Sequence, residues 1–157
     1  MVRELGEHTD LDNIRACSFP NPGFKAEEIR PRLKNIISAK DDVVFILGGT
    51  NNVSEHSTDK CIREVGKLIK EAEKLRPNSP TLVSEIPPRY DIVEHRKIRK
   101  INDYIRQACQ NSKNLILVSN AYERADFDKG GLHLSNKGKQ KLATSIRNTV
   151  KTVCINH

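Results

Sequence analysis

The sequence has no tryptophan, one methionine and only 4% aromatic residues. A platform of aromatic side chains on which bases could stack is therefore not evident. The four cysteines, Cys17, Cys61, Cys109 and Cys154, stand far apart and form no Cys-x-x-Cys pair. That spacing offers no zinc site. Each cysteine lies in an apolar pattern, as buried free thiols of a reducing compartment do. No apolar run approaches the roughly 18 residues of a membrane span. Met1-Val-Arg-Glu-Leu lacks the apolar core of a secretory leader. Asn52-Val-Ser54 matches a glycosylation sequon, but without a leader it reads as a chance match. Repeats, low-complexity tracts and linkers are also missing. The expectations are no cofactor, no metal, no membrane, and an intracellular location, cytoplasmic or nuclear.

What is present is a surplus of positive charge. Lys and Arg number 27 against 20 Asp and Glu, a formal net charge of +7. Such a surplus favours anionic partners, but here it is spread along the chain. Arg96, Lys97, Arg99 and Lys100 form its densest run. They could contact phosphates, or they could be a solvated helix face. At 157 residues the length fits a single domain, residues 1–157, large enough for a real core.

Strand and helix patterns alternate. Ile14 to Phe19 reads as a short strand stopped by Pro20-Asn-Pro-Gly23. Ala26, Ile29, Leu33, Ile36 and Ile37 recur at helical spacing. Val43 to Leu47 is a continuous apolar run, as in a strand buried on both faces. Thr58 is placed to cap a helix carrying Ile62, Val65, Leu68, Ile69, Ala72 and Leu75 inward. Leu82 to Ile86 is a strand ended by Pro87-Pro88. Ile92 to Cys109 is a basic helix, Leu115 to Val118 a strand, and Asn136 to Val153 a closing helix. The order predicts strands near 13–18, 43–48, 81–86 and 115–119 in a parallel sheet with helices on both faces. In such folds function sits at the carboxyl ends of the strands. The loops after residues 19, 47, 86 and 119 are therefore the ones to inspect.

Two of those loops are distinctive. Asp128-Lys-Gly-Gly-Leu-His133 mounts an imidazole on a Gly-rich turn just before a helix, a common setting for a catalytic base. Gly48-Gly-Thr-Asn-Asn52 ends the apolar strand. With Asn21-Pro-Gly-Phe24 they resemble, in order, three blocks of the SGNH (GDSL-like) hydrolases. The likeness covers nearly the whole chain. It is nearest to the esterase-like domains of non-LTR retrotransposon proteins, shared also through Ser84-Glu-Ile-Pro-Pro-Arg89, Ile101-Asn-Asp-Tyr104 and Leu134-Ser-Asn-Lys-Gly138. The resemblance implies a three-layer, flavodoxin-like α/β fold and hydrolysis of acyl or acetyl esters through an acyl-serine. It makes Gly23 and Asn51 the oxyanion donors and His133 the base.

The same resemblance marks two departures. The family's nucleophilic serine lies in a Gly-Asp-Ser block that ends its first strand. Met1-Val-Arg-Glu-Leu looks like the residues just after it, so strand and nucleophile are expected to lie outside this chain, leaving sheet edges unpaired. The family's acid stands three residues before its histidine, where this chain has Gly130. Asp128 is a substitute candidate, and Asp126 another. Losing triad members costs on the order of 10⁴ to 10⁶ in turnover, so the chain is expected to be inactive. The alternative is a non-catalytic module on the same fold that binds RNA, as the Oskar-type domains do. A small ester, if the chain is active, and nucleic acid are thus the expected partners.

Overall fold

The computed structural model describes residues 22–38 and 43–155. They form two compact units, which are treated in turn.

The first unit comprises Gly23–Pro88 and Glu94–Ser119. It is an α/β unit around a parallel sheet of three strands, β1 (Val44–Ile46), β2 (Thr81–Ser84) and β3 (Leu115–Val118), in the order β1-β2-β3. Phe45 pairs with Leu82, and Leu82 with Ile116. All four residues of β2 are buried, as befits the middle strand of a parallel sheet. Before β1 come α1 (Ala26–Ile29), a 3₁₀ turn (Arg30–Arg32) and α2 (Leu33–Ile36). After β1 come α3 (Asn52–Glu55) and the long helix α4 (Thr58–Leu75), and α5 (His95–Gln110) links β2 to β3. Helix α4 packs on α5 and β2, and α5 on β3. Val65, Leu68 and Ile69 from α4 and Ile98, Ile101 and Ile105 from α5 are buried. Their three-to-four spacing is the apolar stripe that periodicity predicts.

Asn102, on α5, fastens the end of β2. Its Oδ1 accepts the Ile86 N–H at 2.8 Å, and its Nδ2 donates to the Ile86 carbonyl at 3.0 Å. Both backbone groups lie just before Pro87 and Pro88, where no ladder continues. The two stretches Ser84–Arg89 and Ile101–Tyr104 thus meet through one side chain.

In the second unit, Arg89–Val93 joins residues 120–155. A 3₁₀ turn (Arg124–Asp126) leads to an antiparallel bridge between Phe127 and Leu134, then to α6 (Asn136–Ile155). The Phe127 ring meets Tyr90 and Tyr122 edge-on, with centroids 5.1 and 5.8 Å away. The Asp126 carboxylate binds Lys141 of α6 at 2.7 Å and the Glu123 N–H at 2.8 Å.

The strands near 43–48, 81–86 and 115–119 and the three long helices lie where periodicity puts them, with ends shifted by a few residues. The strand expected near 13–18, with Cys17, lies outside the described residues. The helix expected from Ala26 to Ile37 is broken into three pieces, because Pro31 lacks an N–H and cannot continue a regular helix. Ser57, not Thr58, caps α4; its side chain accepts the Lys60 N–H at 3.3 Å. The short helix α3 falls in a stretch that reads as loop.

Candidate active site

The loop after β1 begins with Gly48 and Gly49. Gly49 has φ +96°, and a Cβ there would lie 2.6 Å from Val65 Cγ2. Glycine is therefore needed both for the left-handed turn and for the close approach to α4. The turn delivers Asn51 and Asn52 to the start of α3.

Asn51 Nδ2 donates to the Phe24 carbonyl at 3.0 Å. Gly23, the residue before Phe24, is exposed at φ +80°, and no atom lies within 4 Å of where a Cβ would be. Gly23 and Asn51 are thus brought onto abutting loops. Asn52 ties those loops together. It is fully buried; its Oδ1 accepts the Ala26 N–H at 2.9 Å and its Nδ2 donates to Glu27 Oε2 at 2.7 Å. The other Glu27 oxygen lies 2.5 Å from His56 Nε2. Burial pushes the Glu27 carboxyl upward, but hydrogen bonds from His56, its own backbone N–H and Asn52 outweigh it and hold the group at about 2. Lys97 Nζ, from α5, donates to the carbonyls of Val53 and His56 at 2.7 and 3.0 Å, and Cys61 Sγ to that of Asn52 at 3.2 Å. Asn52 is consequently no glycosylation acceptor, since its amide nitrogen is buried and occupied.

His133 stands exposed on its turn in the second unit. Asp128 shapes that turn. Its N–H donates to the His133 carbonyl at 2.8 Å, and its Oδ1 accepts the Gly131 N–H at 2.8 Å and the His133 N–H at 3.4 Å. That oxygen therefore serves the backbone of the turn. Asp126 is fully buried against Lys141, which holds its carboxyl below the ordinary carboxylate range, with the Glu123 N–H adding to the effect. The segment Arg89–Asp91 lies against the turn: the Tyr90 N–H donates to the Gly131 carbonyl at 2.9 Å, and a Cβ on Gly131 would lie 2.7 Å from Tyr90 Cβ. Arg89 Nε donates to Asp91 Oδ1 at 3.0 Å. That contact, with some opposition from burial, lowers the Asp91 carboxyl, and His133 acts in the same direction.

Sequence reasoning missed Glu27, His56 and Asp91. Glu27 and His56 are separated by 29 positions, so no local spacing could pair them. The signal for Asp91 was its place two residues after Arg89 at a strand-end loop. Of the basic run, Lys97 is half-buried in the hydrogen bonds above, while Arg96, Arg99 and Lys100 are exposed. Among the described residues no group of three or more His, Cys, Asp or Glu could hold a metal ion, and no helix is long and apolar enough to cross a membrane.

Several solved structures share this fold. A carbohydrate esterase family 3 protein from Talaromyces cellulolyticus matches at TM-score 0.71 and 18% identity, over 92% of this chain and 79% of that one. An acetyl esterase mutant with an acetate ion matches at TM-score 0.69 and 19% identity, over 94% and 80%. A Clostridium thermocellum family 3 carbohydrate esterase matches at 0.66 and 21%, over 85% and 68%. No curated protein matches the chain. Residues 1–141 match the profile of one family, and the chain belongs to it: the GDSL-like Lipase/Acylhydrolase family.

Proposed function

We propose that this is an SGNH-type domain for acyl or acetyl esters, and that the 157-residue chain is itself catalytically silent. The observation that carries the reading is the hydrogen bond from Asn51 Nδ2 to the Phe24 carbonyl, 3.0 Å long. It supports the reading because Phe24 directly follows Gly23, so the Gly23 N–H and the Asn51 carboxamide, the two proposed oxyanion donors, lie on loops joined by that bond. The Phe24 carbonyl takes one of the two Asn51 N–H groups and so orients the carboxamide, and the second N–H is the one that would meet a developing oxyanion. His133 takes the role of general base. The esterases of like fold support a short acyl group, acetyl above all, as the group transferred and then released as the free acid.

Silence follows from what the base would have to work with. The sequence contains no Gly-Asp-Ser block. Gly130 stands at the acid position, Asp126 is committed to Lys141, and one Asp128 oxygen is committed to the turn. Without an activated nucleophile, oxyanion donors alone leave only a small residue of catalysis. Purified protein is expected to hydrolyse 4-nitrophenyl acetate no faster than buffer. Turnover above that blank, abolished by His133→Ala, would refute the proposal of silence.

Nucleic-acid binding through Arg96, Lys97, Arg99 and Lys100 is the second reading, and the structure gives it less room. Lys97 is turned inward onto Val53 and His56, which leaves three cations on an otherwise solvated face.

A further inference from the structure

Helix α4 carries a second and more regular basic array. Lys60, Arg63, Lys67, Lys70 and Lys74 are spaced by three, four, three and four residues. At 100° per residue they share one narrow stripe, opposite the buried face of Cys61, Val65, Leu68 and Ala72. With a rise of about 1.5 Å per residue, the stripe runs straight for about 21 Å. Glu64 lies buried beneath it, accepting from Arg63 Nε at 3.2 Å and Lys67 Nζ at 3.1 Å, and so holds the middle of the array in place. Lys60, Lys70 and Lys74 make no ion pair among the described residues.

Beside the stripe an open groove of about 330 Å³ runs along the junction of α4 and α5. Arg63, Lys67 and Lys70 form its basic edge and Tyr104 of α5 its far wall, with Ile62 and one carboxylate, Asp59, completing the lining. Gly66 makes room for that ring: a Cβ there would overlap the Tyr104 hydroxyl. A straight row of cations along a groove with an aromatic wall suits a chain of evenly spaced anions with flat groups attached.

We infer that the α4–α5 groove binds the phosphodiester backbone of a single-stranded nucleic acid, with the α4 stripe tracking the phosphates and Tyr104 facing a base. This site is independent of the ester site and of the Arg96–Lys100 run. Two other anionic partners fit less well. An anionic membrane or an acidic protein surface would call for apolar anchors among the charges. The exposed large apolar side chains among the described residues are Tyr90 and Val93, neither of which is on α4 or α5.

The test is fluorescence anisotropy of a labelled 20-nucleotide RNA of mixed sequence with the full chain across a salt series. Five phosphate contacts predict a slope of log affinity on log salt of about −3.5, from about −0.7 per contact on a single strand. The variant Lys60→Gln/Lys70→Gln/Lys74→Gln is expected to flatten the slope by about 2 and to weaken binding at least tenfold. The variant Arg96→Gln/Arg99→Gln/Lys100→Gln removes the same charge from α5 and is expected to change binding less than threefold. All three residues of each variant are exposed or half-exposed, and matching thermal melts verify that both remain folded. Tyr104→Ser should weaken binding without altering the slope. Equal losses in the two triple variants would reduce the effect to net charge and overturn the inference. So would no binding at low salt, or preferential binding to phosphatidylserine vesicles that the α4 variant abolishes.

Discussion

Asn52 sits where its surroundings call for an amide. Its nitrogen faces Glu27 Oε2 at 2.7 Å, so a carboxylate at position 52 would set two like charges against each other in a fully buried spot. Asn52→Asp should therefore destabilise the protein at neutral pH by about 2–4 kcal/mol, the cost of a lost donor plus an unpaired buried charge. The pH dependence distinguishes this from a simple packing defect. In the native protein Glu27 is held at about 2, below its ordinary 4.5. The group is thus deprotonated more readily when folded, and its stabilisation is complete above about pH 4.5 and lost as the pH falls through that window toward 2. In Asn52→Asp the repulsion should relieve itself on acidification, so its deficit relative to wild type narrows between pH 7 and 4. Chemical denaturation of both proteins across that range measures it; a constant deficit would mean that charge is not the cause. No local pattern reveals this network. The sequence shows an asparagine after an asparagine, and only the fold brings Glu27 and His56 to it.

Elements made of long apolar stripes were legible in the sequence, and those shaped by one backbone contact were not. Helices α4, α5 and α6 follow from spacing because a stripe of four or more apolar residues has one helical face to bury. The strands follow from short apolar runs, closed by Gly48 after β1 and flanked by Pro80 and Pro87 around β2. Short pieces escaped. Pro31 divides the helix at residues 26–37, and α3 has only four residues, too few for periodicity to register. Helix α6 shows why local propensity is not enough. Gly138 sits in its first turn, where alanine would normally gain about 1 kcal/mol. Yet a Cβ at Gly138 would overlap the Asp126 carbonyl oxygen and lie 3.0 Å from Leu134 Cδ2. The overlap is with backbone, which cannot swing aside, and it presses on the loop that also takes the Ser135 N–H at 2.9 Å. Gly138→Ala should therefore destabilise rather than stabilise, by about 1–3 kcal/mol in all. A thermal melt reads the sign directly, and a raised midpoint would show that α6 can shift along the loop at no cost.

At the scale of the whole molecule, the buried thiols report on the fold as a unit. Cys61 is fully buried on α4, with its Sγ on the Asn52 carbonyl at 3.2 Å. Cys109 is buried near the end of α5, where desolvation first, and the charges of Glu73 and Glu85 after it, push its thiol to about 11. Only the thiolate reacts with alkylating reagents. At pH 8 a thiol at about 11 is ionised in only about one molecule in a thousand, against about one in four for an unperturbed cysteine. Burial then excludes reagent even from that fraction. Both residues belong to the α/β unit, on helices whose inner faces form its core, so exposing either requires opening the packed helices. Iodoacetamide at pH 8 is therefore expected to leave Cys61 and Cys109 unmodified in the native protein and to label both together as denaturant crosses the unfolding midpoint. Mass spectrometry of peptides from a denaturant series distinguishes the two by mass and position. Labelling of Cys109 well before Cys61 would show that the α5 end opens on its own, and that the core of the α/β unit does not unfold as one piece.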